Sequence, residues 1–252
     1  MPAPSILTEW DSRSIVDSVK SDGIVVLDRF FGGEKLKALN AEFSLLFDAQ
    51  GEKVQTHHKT EYIDAKHIDP RKLDRKKFPA LSSLADDPVL RQSAEDYFQK
   101  PIIYPHKIFA TWSKGTEQAL KKLPFVAHTD RFQMFKYMIY LHDVTATTGA
   151  MAAAPGRHKE LAARRLEWIR SGKPYEQRPN VLHELDAELT PVEAKAGSIL
   201  VFDTDVPHKA GHVQPGFERH SLRIDIVCPS YAGTNGKRKL MDRLFRRKVV
   251  TD

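Results

Sequence analysis

The chain has 252 residues and a formal net charge of +6, with 41% hydrophobic and 29% charged residues, which suits a globular protein large enough to bury a substantial core. No apolar run approaches the roughly 18 residues that a membrane-spanning helix needs. The single cysteine, Cys228, excludes a disulfide framework and a cysteine-rich zinc site.

The N-terminal stretch MPAPSILTEWDSR lacks the layout of a secretory signal, so one cytoplasmic domain spanning 1–252 is expected. The basic excess is local. Seven basic residues and one acid lie between Lys237 and Lys248, and the rest of the chain is close to neutral. No nucleic-acid partner is therefore expected.

In chain order, Asp11 or Ser12 can cap a helix carrying Ile15, Val16 and Val19 that Gly23 stops. Ile24-Val25-Val26-Leu27 is a fully apolar strand candidate. Leu36, Leu39, Phe43 and Leu46 share one face of a second helix. Residues 51–87 are polar and punctuated, and predict a long loop region. Pro88 opens a further helix to about Gln99.

From residue 103 the period becomes that of strands: Ile103-Tyr104, Lys107–Trp112, Phe125–Phe135 and Lys136–Val144, then Glu188–Val192, Ser198–Phe202 and Arg219–Val227, with a helix over Glu160–Ser171. Helices followed by many short strands predict an α+β chain with an antiparallel barrel or jelly roll. A 1–100 helical and strand part would lead into a 101–230 core, followed by a 231–252 basic helix with Leu240, Met241, Leu244 and Phe245 on one stripe.

Two clusters carry chemistry. In a strand, residues two apart face the same way, so His128 and Asp130 aim together and form two-thirds of a 2-His-1-carboxylate site. After the apolar strand behind Gly197, the turn Asp203–Pro207 returns the chain to His208, a candidate third ligand. Eleven residues on, Arg219, Ser221, Arg223 and Asp225 alternate with His220, Leu222, Ile224 and Ile226. That strand is either an edge with its polar face in water, or it places Arg219 and Ser221 inside a barrel to bind a carboxylate.

These segments resemble the phytanoyl-CoA dioxygenase family of Fe(II)/2-oxoglutarate-dependent oxygenases. The likeness rests on Asp22–Leu27 with the helix after it, and on His128-Thr129-Asp130. It continues through Ile139–Val144, Gly149-Ala150-Met151 and Pro155-Gly156-Arg157-His158, and ends with the spacing from Gly197 to Arg219. The resemblance implies a double-stranded β-helix (a cupin-like jelly roll) with N-terminal helices packed on one sheet. It implies Fe(II) on His128, Asp130 and His208, and 2-oxoglutarate on Arg219 and Ser221. With O2, a small organic metabolite would be hydroxylated or otherwise oxidised, releasing succinate and CO2.

Arg157 stands where the family has serine, which makes it a candidate substrate contact. Ser198 replaces the usual acid after the turn glycine. His212 competes with His208, because Arg223 lies eleven residues after it; His208 keeps the family's distance from Gly197.

Trp112 is a second candidate substrate contact, or else core. The 57–75 stretch (His57, His58, Lys59, Tyr62, Lys66, His67, Arg71) is a solvated loop, or a lid suited to an acidic substrate. Two other readings stand beside the oxygenase. A non-catalytic or non-oxidative member of the fold would be marked by loss of a ligand, and all three are present. A nucleic-acid demethylase of the superfamily would carry a second arginine six residues after the first, where this chain has Asp225.

Overall fold

The computed structural model of the protein describes residues 3–48, 54–118, 120–174 and 177–229. The basic segment 237–248, with its expected helix, lies outside the described residues. Strand β1 (Ser5–Leu7) precedes helix α1 (Ser12–Asp22), strand β2 (Ile24–Leu27) and helix α2 (Gly33–Asp48). Asp11 caps α1 by accepting from the Ser14 amide, and Gly23 closes it in the left-handed region at φ 81°. Helices α3 (Pro79–Ala85) and α4 (Pro88–Phe98) each begin with proline at a first-turn position, where its missing N–H costs nothing.

The long strands are β5 (Ile103–Lys114), β6 (Met134–Tyr140), β9 (Ile199–Asp203) and β11 (Glu218–Val227). Among the described residues an eight-stranded sheet runs β1-β2-β9-β6-β11-β5-β4-β3, with β3 (Val54–Lys59) and β4 (Ile63–Ile68) at one edge. A second sheet joins β10 (His208–Lys209), β7 (Ala152–Ala153) and β8 (Thr190–Pro191). Single bridges from His128 to Val181 and to His208 extend it. The two sheets form the jelly roll.

The outer face of the large sheet carries the helices. Val25, Leu27, Ile139, Val201, Leu222 and Ile224 pack there with Ile15 and Val19 of α1, Leu39 and Phe43 of α2, and Leu90 and Ala94 of α4. The inner face is apolar at one end, where Ile24, Val26, Leu200 and Phe202 meet Ala153 and Val192. Strands β2 and β9 are thus buried on both faces, which is why they read as continuous apolar runs rather than alternating ones.

Several expectations need correction. Of the 51–87 stretch, the described part from residue 54 onward is no long loop. It forms the β3–β4 hairpin, a short 3-10 turn (Pro70–Lys72) and α3. Its strands escape an apolar pattern because β3 is an exposed edge, while Lys66 of β4 lays its ammonium over the Phe47 ring.

Phe125–Phe135 is not one strand: backbone pairing is confined to short stretches around His128, and β6 begins at Met134. Glu188–Val192 splits into the end of a 3-10 helix (His183–Glu188) and the two-residue β8. The segment expected as Glu160–Ser171 is helix α5 (His158–Arg170). Strands from the first 70 residues also join the main sheet, so the helical part and the barrel are interleaved.

Candidate active site

Facing backbone hydrogen bonds build the site. The amide of His128 donates to the carbonyl of His208 (3.0 Å) and that of His208 to the carbonyl of His128 (2.9 Å), which sets the two rings 4.4 Å apart between centroids. The Asp130 amide donates to Thr204 O (3.2 Å), and Arg178 donates to the Asp130 carbonyl. Ligand atoms of His128, Asp130 and His208 lie within 4.8 Å of one another, as a single metal ion requires. His212 is not part of this group.

Each histidine Nδ1 lies on the carbonyl of the residue two before it: Val126 O for His128 (2.8 Å) and Val206 O for His208 (2.9 Å). A carbonyl only accepts, so Nδ1 carries the proton and Nε2 keeps a bare lone pair. Burial pushes the His128 pKa down. Burial, with the neighbouring His128, takes His208 to about 3. Burial pushes the Asp130 carboxyl up, but the paired Lys136 ammonium and the His208 ring outweigh it and bring it to about 2. Two neutral imidazoles and a carboxylate are the protonation states a divalent metal needs.

The turn that carries His208 is braced from beneath. Arg165 of α5, 2% exposed, donates to both Asp205 oxygens (3.0 and 2.9 Å) and to Gln133 Oε1 (2.9 Å). Gln133 donates to Asp203 (2.6 Å), which also accepts from Tyr97. Burial and the adjacent Asp203 charge push Asp205 up to about 6. No local sequence signal marks Arg165, which braces the His208 turn, or Arg178, which holds the Asp130 carbonyl; both lie far along the chain from what they support.

The site opens on a cavity of about 650 Å³. Alternation along the strands decides its walls. From β11 it takes Arg219, Ser221, Arg223 and Asp225; from β5 Phe109, Thr111 and Ser113; from β6 Met134, Lys136 and Met138. Arg219 is 6% exposed, donates to the Gly149 carbonyl and to Ser113 Oγ (3.2 Å), and has no carboxylate within ion-pair distance among the described residues. Its Nε has no hydrogen-bond partner. Gly149 sits at φ 84°, and a Cβ there would lie 2.6 Å from Val213 and 3.3 Å from the Arg219 guanidinium, so only glycine presents this carbonyl.

The structure does not bring the two candidate substrate contacts to the cavity. Trp112 falls between Thr111 and Ser113 and so points to the outer face. There it meets the Phe47 and His220 rings and donates to Glu218 (2.8 Å). Arg157 pairs with Glu160 (2.9 Å) and Glu188 (2.5 Å). The neighbouring His158 packs on Gly23 and reaches Lys20 O (3.3 Å), so this loop docks against the end of α1.

His57 and His58 both line the cavity, because a bulge between Thr56 and His58 breaks the strand alternation. Sequence reasoning missed Lys136, the Gly149 carbonyl and Ser113. Only Lys136 carried a signal: it is the one charge within Met134–Tyr140.

The fold is that of the cupin-like, jelly-roll oxygenases. The chain belongs to the phytanoyl-CoA dioxygenase family, whose family model matches residues 19–221, and that family depends on Fe(II), 2-oxoglutarate and O2. No curated protein sequence matches the chain.

Several solved structures share the fold. The epimerase SnoN, in complex with Fe3+, alpha ketoglutarate and nogalamycin RO, is similar at TM-score 0.60 and 15% identity, over 86% of this chain and 83% of SnoN. The carbocyclase SnoK from nogalamycin biosynthesis is similar at TM-score 0.60 and 16% identity, over 85% and 83%. HygX from Streptomyces hygroscopicus, with nickel, 2-oxoglutarate and hygromycin B bound, is similar at TM-score 0.55 and 16% identity, over 85% and 86%. At these identities the likeness is one of fold. No helix among the described residues is long and apolar enough to cross a membrane.

Proposed function

We propose that the chain is an Fe(II)- and 2-oxoglutarate-dependent oxygenase that hydroxylates a small organic substrate. His128, Asp130 and His208 would hold the metal, and Arg219 with Ser221 the far carboxylate of 2-oxoglutarate. The carrying observation is one cavity that joins the His-Asp-His cluster to a buried arginine without a carboxylate partner. The donor set fits the group: two neutral nitrogens and one carboxylate on one side suit non-haem Fe(II) with positions left open. A buried guanidinium suits a carboxylate through paired N–H donors.

When bound, iron and 2-oxoglutarate supply oxygen activation coupled to oxidative decarboxylation, giving succinate and CO2. The chain's own residues do the rest. The Val126 and Val206 carbonyls hold each histidine in the tautomer that presents Nε2. Gly149 and Ser113 fix the Arg219 fork, and Met138, Met151 and Phe202 give the cavity apolar walls that exclude water. A volume of about 650 Å³ suits a small molecule. Strands from residues 5–68 and 218–227 share one sheet, which supports reading the chain as one oxygenase domain.

The test is succinate formation and oxygen uptake with Fe(II) and 2-oxoglutarate, alone and with candidate substrates. Succinate formation that His208→Ala abolishes supports the reading. Wild-type protein that binds Fe(II) yet forms no succinate under any condition would instead be a non-catalytic member of the fold.

A further inference from the structure

Formally charged side chains lining the cavity are Lys136, Arg219 and Arg223 against Asp130 and Asp225, a net charge of +1. On the oxygenase reading, a divalent metal and doubly charged 2-oxoglutarate cancel each other, so the +1 persists in the loaded site. The pairs identify its bearer. Arg223 is matched by Asp225 (2.7 and 3.2 Å), and Arg219 would be matched by the far carboxylate of 2-oxoglutarate. Asp130 and the second carboxylate of 2-oxoglutarate would balance the metal. Lys136 is left over: it is 5% exposed, and its ion pair is with Asp130, whose charge the metal would claim.

Lys136 also stands apart from the Arg219 end. It is the cross-strand partner of Asp225, six residues along β11 from Arg219, or about 20 Å of strand. An unmatched cation this deeply buried is costly, and Phe202, its cross-strand neighbour on β9, and Met134 and Met138, which flank it on β6, are apolar.

Resting on the oxygenase reading, we propose that Lys136 recognises a carboxylate on the substrate, which is a singly charged acid with an apolar body. The charge count favours one negative charge over the two of a phosphate monoester. The competing role for Lys136 is to hold Asp130 or the metal-bound end of 2-oxoglutarate.

The test uses the full chain loaded anaerobically with Ni(II) and then 2-oxoglutarate, each binding step measured by calorimetry. Hexanoate, cyclohexanecarboxylate and benzoate are then titrated, each beside its neutral amide. At least one acid should bind tenfold or more tighter than its amide. Lys136→Met should erase that preference, leaving amide affinity within twofold and Ni(II) and 2-oxoglutarate affinities no weaker than threefold. Lys136→Arg should retain the preference.

Equal binding of acid and amide in all three pairs overturns the proposal. So does a preference that survives Lys136→Met, because the acid is then held by the metal. A tenfold loss of Ni(II) or 2-oxoglutarate in that variant reassigns Lys136 to the competing role. Wild-type protein that takes up neither Ni(II) nor 2-oxoglutarate fails at the earlier titrations, and that result brings down the oxygenase reading itself.

Discussion

Replacing Arg219 by alanine tests the co-substrate pocket most directly. Its guanidinium is 6% exposed and held by the Gly149 carbonyl and Ser113, so it enters the complex already oriented. Removing one partner of a buried charge pair costs about 3–5 kcal/mol, because the remaining carboxylate is left desolvated and unpaired. With about 1.4 kcal/mol to each factor of ten, 2-oxoglutarate affinity should fall by roughly a hundredfold to a few thousandfold. Arg223 lines the same wall but is satisfied by Asp225 on its own strand, so Arg223→Ala should change 2-oxoglutarate affinity less than about fivefold, within roughly 1 kcal/mol. The assay is calorimetric titration of the Ni(II)-loaded protein, supported by the KM for 2-oxoglutarate in succinate formation. An Arg219→Ala protein that binds 2-oxoglutarate nearly as well as wild type would refute the assignment, and the reverse ranking would move the pocket along β11.

His128→Ala, Asp130→Ala and His208→Ala should each lose stoichiometric metal by elemental analysis and all 2-oxoglutarate turnover, whereas His212→Ala should keep both; metal retained in the first three would dissolve the triad. Arg165→Met leaves Asp205 buried and unpaired, a cost of about 3–5 kcal/mol that should lower Tm by roughly 10 °C or more; the Asp205→Asn partner change should restore part of it, and a shift within 2 °C, under roughly 1 kcal/mol, would count against the brace. Burial, with the Lys107 charge next, holds His106 down at about 4 in the folded chain, against an ordinary 6.5. Between pH 6.5 and 4 the unfolded chain therefore binds the extra proton, and stability falls as pH falls, by at most about 1.4 kcal/mol per pH unit from this group. Urea unfolding across that window should show a shallower acid-side loss in His106→Gln, and an unchanged slope would exclude this contribution.

Sequence alone determined what depends on neighbours along the chain. Asp11 or Ser12 as a cap, Gly23, Pro88 and the 3-4-3 apolar spacing of α2 act within one or two turns, so these helices were legible from their residues. So was the alternation of polar and apolar residues along β11, since a period of two is a local property, though not which of its faces turns inward. The His128/Asp130 pair and the distance from Gly197 to His208 made those residues candidates as soon as a barrel was supposed. Tertiary structure decided the rest, because it depends on which surface each strand meets. The β3–β4 hairpin reads as a loop until one sees that its faces cover a polar cavity and the Phe47 ring, where apolar alternation has no role. Trp112 and Thr111 are adjacent in sequence, yet only the sheet's placement between helices and cavity tells which one faces the chemistry. The glycine that hands its carbonyl to Arg219 and the Arg165 brace join residues many positions apart, and the bulge beside His57 and the burial of Lys136 against Asp130 show only once the sheets are assembled. Their energies come from desolvation and pairing in three dimensions, which no local pattern encodes.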